Sequence, residues 1–243
     1  LKDPWKHLRE GLFGNVEPEI TLEAVTCPVE RDEYRDRINF LASFESVELL
    51  PAIAAGTSYG SREKIEKGPE RGKRLNRKLI KLGHHTPLEA IQFNFHISGI
   101  SKACGAQMSR HRIGQGHVSA SRRFQEQKPR FVYPMLAYFT DQHAVGAIYA
   151  ELEEVYQRAY SDYTGLRDDF HLKKEDARLI MPVSAATERS WWVNARALNS
   201  FFVLRLTPDA EWEIRRLANM ILDLVAPLAP SLFADFQEKE RRE

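Results

Sequence analysis

The apolar positions change period several times along the chain, and each change marks an element. Residues 1–18 scatter Trp5, Leu8, Leu12 and Phe13 among charges, the pattern of a docking arm or a frayed terminus. Residues 20–29 alternate and predict a strand. Residues 31–55 carry Tyr34, Ile38, Leu41, Phe44, Val47 and Leu50 at helical spacing, with Pro51 expected to kink or end the helix. After the turn cluster GTSYG, residues 61–81 read as a polar helix with nine Lys and Arg against three Glu, a solvated face. Alternation of Ile91, Phe93, Phe95 and Ile97 with polar neighbours predicts a strand over 90–98. A short helix over 100–108, an extended aromatic stretch over 130–137 and a helix over 141–163 follow. Then come a helical piece at 174–179, a β-like run at 183–193 with paired Trp191 and Trp192, and a helix over 194–206. Thr207 as N-cap and Pro208 at the first helical position open a last helix reaching Val225, and the charged end faces solvent. Strands and helices mix without a repeat or low-complexity linker, which predicts one α+β domain over 1–243.

Composition narrows the class. The chain has 243 residues, 43% of them hydrophobic, enough for a substantial core, and a net charge of +1. No apolar run approaches the length of a membrane span, and the first residues do not read as a secretory signal. Two cysteines, Cys27 and Cys104, far apart and without a CxxC pair, argue against a disulfide framework or a thiolate zinc site and suit the cytoplasm. No metal site is expected, because His84, His85, His96 and His111 lack HxxxH or HxxE spacing, and no GxSxG elbow suggests a serine hydrolase. A near-neutral chain is no dedicated nucleic-acid coat, so the nucleic-acid-binding module stands only as an alternative.

Charge nevertheless concentrates locally. Residues 107–130 hold five Arg and one Lys against one Glu. Guanidinium groups fork onto phosphate or carboxylate oxygens, so this stretch suits an anionic ligand. Arg178, Arg196 and Arg205 lie in apolar helical surroundings, where a guanidinium requires either a route to solvent or partners. Arg196 and Arg205 stand nine residues apart, about 180° round a helix. They face opposite ways, so one pocket within one chain would not take both.

The order of motifs resembles the flavin-dependent thymidylate synthases, the ThyX family. Arg110-His111-Arg112, eight residues, then Ser121-Arg122-Arg123 is similar to the family's Arg-His-Arg, seven residues, Ser signature with one residue inserted. Gln107 precedes it by three residues, and Gly83-His84, Thr86-Pro87 and Glu89 resemble the family's upstream turn. Downstream, Ala177-Arg178 with Pro182, Asn194-x-Arg196-Ala197-Leu198, Leu204-Arg205 and Ala210-x-Trp212-Glu213-Ile214 complete motifs spanning about 83–215. The resemblance implies a twisted, mostly antiparallel sheet with flanking helices and a helical C-terminal part. It implies a homotetramer with FAD at shared sites, NADPH as reductant, methylenetetrahydrofolate as carbon donor, and methylation of dUMP at C5 without an enzyme cysteine adduct.

Carried over by position, Arg178 and Ser121 are the catalytic candidates, Arg178 stabilising negative charge on the pyrimidine. His84, Arg110, His111, Arg112, Asn194, Arg196 and Ser200 resemble flavin contacts. Gln107, Ser119, Ser121, Arg123, Arg178 and Arg205 resemble nucleotide contacts. Several positions depart from the family pattern. Ser119 stands where a Glu is usual, Ser200 where an Asn is frequent (Asn199 is adjacent), Asp209 where a His is frequent, and Ala90 replaces the second His of the upstream turn. The small Ser119 and the glycines of the inserted loop raise an alternative, that UMP is accepted beside or instead of dUMP in a specialised nucleoside pathway. A catalytically inactive scaffold is the remaining alternative.

Overall fold

The central strand, residues 92–101, carries the side chains around which the sheet and the C-terminal helices pack. The computed structural model describes residues 3–26, 30–31, 38–39, 44–66 and 68–240. In chain order the elements are α1 (Lys6–Arg9), β1 (Glu19–Val25), β2 (Glu30–Arg31), β3 (Ile38–Asn39), a 3-10 turn (Phe44–Leu49), α2 (Leu50–Ser58), α3 (Arg62–Glu66) and α4 (Pro69–Lys81). A second 3-10 turn (Thr86–Ala90), β4 (Gln92–Ser101), α5 (Lys102–Met108), β5 (Gln115–Ser119) and the long α6 (Gln142–Asp168) follow. Then come α7 (Lys174–Ala177), a 3-10 turn (Arg178–Ile180), β6 (Ala186–Asn194), α8 (Ala195–Arg205), α9 (Trp212–Val225) and α10 (Pro230–Glu240).

Four strands form one sheet in the order β1-β4-β6-β5, every pairing antiparallel. Phe93, Phe95 and Ile97 on one face of β4 are fully buried, and Phe95 lies opposite Trp191 of β6 with ring centroids 5.6 Å apart. Helices α8, α9 and α10 cover that face through Phe201, Phe202, Leu217, Ile221 and Phe233. A second core joins α6, through Val145, Tyr149, Tyr156 and Tyr163, to Phe131 and Tyr133 of the extended stretch. The N-terminal arm docks there: Trp5, Leu8, Leu12 and Phe13 pack on this core, and the buried Arg9 donates to the Tyr133 carbonyl at 3.2 Å. This is the predicted α+β class.

Several element boundaries differ from the sequence reading. The helix expected over 31–55 is found only over 50–55, in α2, and before that, where described, the two-residue pairing of β2 with β3 and the first 3-10 turn stand instead. Residues 27–29, 32–37 and 40–43, with Tyr34 and Leu41 of that expected helix, lie outside the described residues. Pro51 lies in the first turn of α2 instead of ending a helix, because its missing N–H costs nothing there. The same logic divides the polar helix: α4 starts afresh with Pro69 in its first turn. The N-cap of the last long helix is Glu211, whose carboxylate accepts from the Ile214 N–H at 3.4 Å. Thr207 is instead used in a turn that Ala210 closes by donating to its carbonyl at 3.0 Å. The loop after Arg112 is in part a strand, β5, since β6 offers it an open edge. Residues 230–240 form α10, which the charged pattern did not suggest.

Candidate active site

The first candidate site is built on α5. Ser101 caps this helix, its hydroxyl accepting from the Cys104 N–H at 3.0 Å. The cap is itself anchored, because the Ser101 N–H donates to the buried Glu213 carboxylate at 2.6 Å and its hydroxyl donates to the other carboxylate oxygen. Lys102, Gly105, Ala106 and Ser109 fall at helical spacing and present one face of α5 to a cavity of about 350 Å³. His117 and Ser119 of β5, the loop through Ser121 and Arg122, Arg178, and Thr187 and Arg189 of β6 complete the walls.

Four cations, Lys102, Arg122, Arg178 and Arg189, line this cavity, and no Asp or Glu does. Two of them are deeply buried: Arg122 is 7% exposed and Arg189 is 5% exposed. Backbone oxygens hold them, with Arg122 Nη2 donating to Ala185 and Ala186 at 2.8 and 2.9 Å and Arg189 Nη2 to Gly105 at 2.9 Å. A Cβ at Gly105 would stand 2.7 Å from that guanidinium nitrogen, which would have to move. Arg122 Nη1 and Arg189 Nε have no hydrogen-bond partner. Burial, with the Arg178 charge added, pulls Arg122 down to about 10, and burial lowers Arg189. Lys102 is drawn down to about 8 by burial and then by Arg122 and Arg178. Clustered cations with orphan donors and depressed pKa values constitute a site short of an anion.

A second cavity, about 290 Å³, lies where the Arg-His-Arg loop meets the start of α8. Asn194 caps α8, its side-chain oxygen accepting from the Ala197 N–H at 2.9 Å, and His111, Arg112, Arg196 and Ser200 line the space beside it. Glu89 from the second 3-10 turn also lines it and pairs with Arg196 at 2.6 Å. Arg205 Nε donates to His111 Nε2 at 3.1 Å, which places the ring proton on Nδ1. Burial, then the Arg205 charge, lowers the His111 pKa, so the ring is neutral at pH 7.

The structure therefore sorts the sequence-derived candidates. Ser119, Ser121 and Arg178 line the first cavity, and His111, Arg112, Asn194, Arg196 and Ser200 line the second. His84 belongs to neither and borders a groove along α4. Gln107 donates to Glu211 at 3.4 Å, Arg123 pairs with Glu175 at 2.7 Å, Arg205 stands behind His111, and Arg110 is exposed. Sequence reasoning assigned Arg123 in place of Arg122 and missed Lys102, Ser109, His117 and Arg189. Arg189 was within reach: it shares the inward parity of Trp191 and Val193 on a strand, and a charge at such a position calls for a partner. Among the described residues, no three His, Cys, Asp or Glu come together to hold a metal. No helix among them is long and apolar enough to cross a membrane.

Comparison with known proteins bears on these two cavities together. Residues 40–231 match the family model described as thymidylate synthase complementing protein. The chain is 36% identical over 209 residues to a flavin-dependent thymidylate synthase of Geobacter sulfurreducens, covering 82% of this chain and 86% of that relative. It is 34% identical over 195 residues to one of Thermosipho africanus, covering 75% of this chain and 83% of the relative. It is 32% identical over 166 residues to one of Nitratidesulfovibrio vulgaris, covering 64% of each.

Proposed function

The chain belongs to the thymidylate synthase complementing protein family, and from that premise we propose that it methylates dUMP at C5, using FAD, NADPH and methylenetetrahydrofolate. The observation that carries the assignment of sites is the four-cation cavity without a carboxylate, which suits the phosphate dianion of a nucleotide. Arg122 and Arg189 supply the positive charge that holds the phosphate, while Ser119 and Ser121 supply hydroxyls to the nucleotide. Arg178 is oriented by its Nε, which donates to the Glu175 carbonyl at 3.0 Å, and stabilises negative charge developing on the pyrimidine. Cys104 takes no part: it is fully buried, and burial pushes its thiol up.

The second cavity fits the flavin. Arg112 and Arg196 suit a pyrophosphate, and Gly114 leaves bare backbone where a Cβ would meet the Asn194 side chain at 2.6 Å. FAD, when bound, supplies the electron transfer of the reaction. The chain's own residues position it: Asn194 and Arg196 are fixed by the helix cap and by Glu89, and neutral His111 is held by Arg205. A 290 Å³ space is at the low end of ligand sites of roughly 300–1,000 Å³, so one protomer encloses only part of a dinucleotide. Val203 and Leu204 of α8 are 60% and 56% exposed, an apolar face available to another copy. Both features support a homotetramer of single-domain protomers that share active sites. Its substrates are those of cytoplasmic nucleotide synthesis, and the reading places the protein there.

The test is release of tritium from dUMP labelled at C5, with FAD, NADPH and methylenetetrahydrofolate present, alongside the absorbance spectrum of the purified protein. Flavin bands that shift on adding dUMP, with tritium release and formation of dTMP, are expected. Protein that retains no flavin after incubation with FAD and releases no tritium overturns the reading. Half-buried Ser119 in the cavity wall leaves room beside the sugar, so the same assay with UMP decides whether the ribonucleotide is also accepted.

A further inference from the structure

The groove of about 450 Å³ along α4 belongs to neither cavity. Its walls are apolar, from Tyr59, Leu75 and Leu82, and its rim carries Arg71, Arg74 and Lys78. Tyr59 is 72% exposed and Leu82 is 59% exposed, so large apolar surface stands open beside positive charge. The three cations sit at i, i+3 and i+7, one face of the helix, and span about 10 Å at 1.5 Å per residue. No carboxylate among the described residues pairs with them, and no Asp or Glu lines the groove. Their neighbour Lys73 is instead held by Glu48 at 3.3 Å and Glu70 at 3.0 Å.

The arrangement selects a kind of anion. A phosphate gathers several donors onto one centre, as the first cavity does. Cations in a row over an apolar floor match a chain that carries carboxylates at intervals and an aromatic body. The groove also stands close in sequence to the second cavity: His84 lines the groove, and the 3-10 turn that follows carries Glu89 into the wall of the second cavity. A co-substrate that meets the flavin at the second cavity would have its tail on the side of α4. We propose that this groove binds the polyglutamate tail of the folate co-substrate, through Arg71, Arg74 and Lys78. The proposal rests on the catalytic reading above for the identity of the co-substrate.

The experiment compares methylenetetrahydrofolate bearing one glutamate with the form bearing three, using the full chain reconstituted with FAD. Each exposed ion pair contributes up to about 1 kcal/mol, so the triglutamate form should show a KM roughly tenfold lower. The variant with Arg71→Gln, Arg74→Gln and Lys78→Gln should erase that ratio while its flavin spectrum and its KM for the monoglutamate form stay unchanged. Gln is a good helix former, and Arg74→Gln alone serves as a milder variant with an intermediate ratio. Equal KM values for the two forms in the unmodified protein overturn the proposal, and so does a ratio that survives the triple variant. A triple variant that instead raises the KM for NADPH assigns the groove to that co-substrate's phosphates and also overturns it. Equilibrium dialysis with folate mono- and triglutamate needs no turnover, so it separates the two readings. A triglutamate preference without tritium release leaves the groove standing and removes the catalytic reading; no preference removes the groove alone.

Discussion

Two regions of this protein are rich in Lys and Arg, and they differ in what surrounds the charge. Beneath β5, Arg122 and Arg189 are buried, backbone carbonyls grip their guanidinium groups, and burial, with the neighbouring cations added, depresses Lys102 to about 8. Along α4, Arg71, Arg74 and Lys78 project from the helix into water. The residue types are the same, but two unit charges 4 Å apart interact by about 1 kcal/mol in water and by about 4 kcal/mol at the effective dielectric near protein surfaces. The buried cluster is therefore destabilising without its ligand and selective for a compact dianion. The row on α4 costs the fold little and can grip only weakly, through several contacts at once. Burial, more than composition, separates a phosphate site from a sticky rail.

Arg189→Met tests the contrast most severely. Loss of a charged hydrogen-bond donor is expected to weaken dUMP binding by about 2–3 kcal/mol, or roughly 30- to 160-fold, in a titration followed by flavin absorbance. The ligand-free melting temperature should hold or rise, because an apolar side chain replaces a buried charge that has no carboxylate partner. A fall in stability with unchanged affinity would make Arg189 a structural residue. Next in size is Glu213→Ala, which strips the acceptor from both donors of Ser101. A loss of about 1–3 kcal/mol in denaturant unfolding is expected, together with weaker nucleotide binding as the start of α5 loosens.

Lys102 gives a smaller effect with a defined sign. Its pKa in the empty cavity is about 8, so the ammonium is present below that pH and lost above it. A bound dianion favours the ammonium, so affinity for dUMP should be level below pH 8 and should fall above it, by at most about tenfold per pH unit for a single proton. Arg122 and Arg178 are the charged groups that lower Lys102, and Arg122, at about 10, keeps its own charge over most of this range. Lys102→Met should flatten the alkaline limb in an affinity titration from pH 7 to 9. An unaltered limb would assign the effect to another group.

Alternation made β4 and β6 legible because one face of each is buried under helices, and period-2 patterning is the direct record of that burial. The helix that begins at Asn194 and the helical piece leading to Arg178 were legible from the local pattern, while the Asn194 cap and the 3-10 turn at Arg178 were not. What was missed has physical causes. The pairing of β2 with β3 and the strand β5 depend on partners distant in sequence, which local spacing does not encode. Lys102 was hidden because one lysine in a short helix looks solvated until the strand opposite is known to carry Arg189. His84, a flavin-contact candidate by its motif, borders the α4 groove within one protomer, a placement that depends on how α4 and the following turn pack.

The smallest expected effect falls on the other side of the comparison. Arg74 has like charges three residues before it and four residues after it, at Arg71 and Lys78, and no carboxylate partner among the described residues. Neutralising it by Arg74→Gln relieves two repulsions of a few tenths of a kcal/mol each, so the ligand-free protein should gain no more than about 0.5 kcal/mol. Thermal unfolding would register this as a rise of about 2 °C or less for a chain of this size. Raising the salt concentration from 0.1 to 1 M shortens the screening length from about 10 to about 3 Å and should abolish even that gain. Buried charges are screened much less, so the response of Arg189→Met to the same salt should stay nearly constant. A loss of more than about 1 kcal/mol in Arg74→Gln would mean that the guanidinium holds the helix in place, and the row on α4 would then be part of the fold and not a surface waiting for carboxylates.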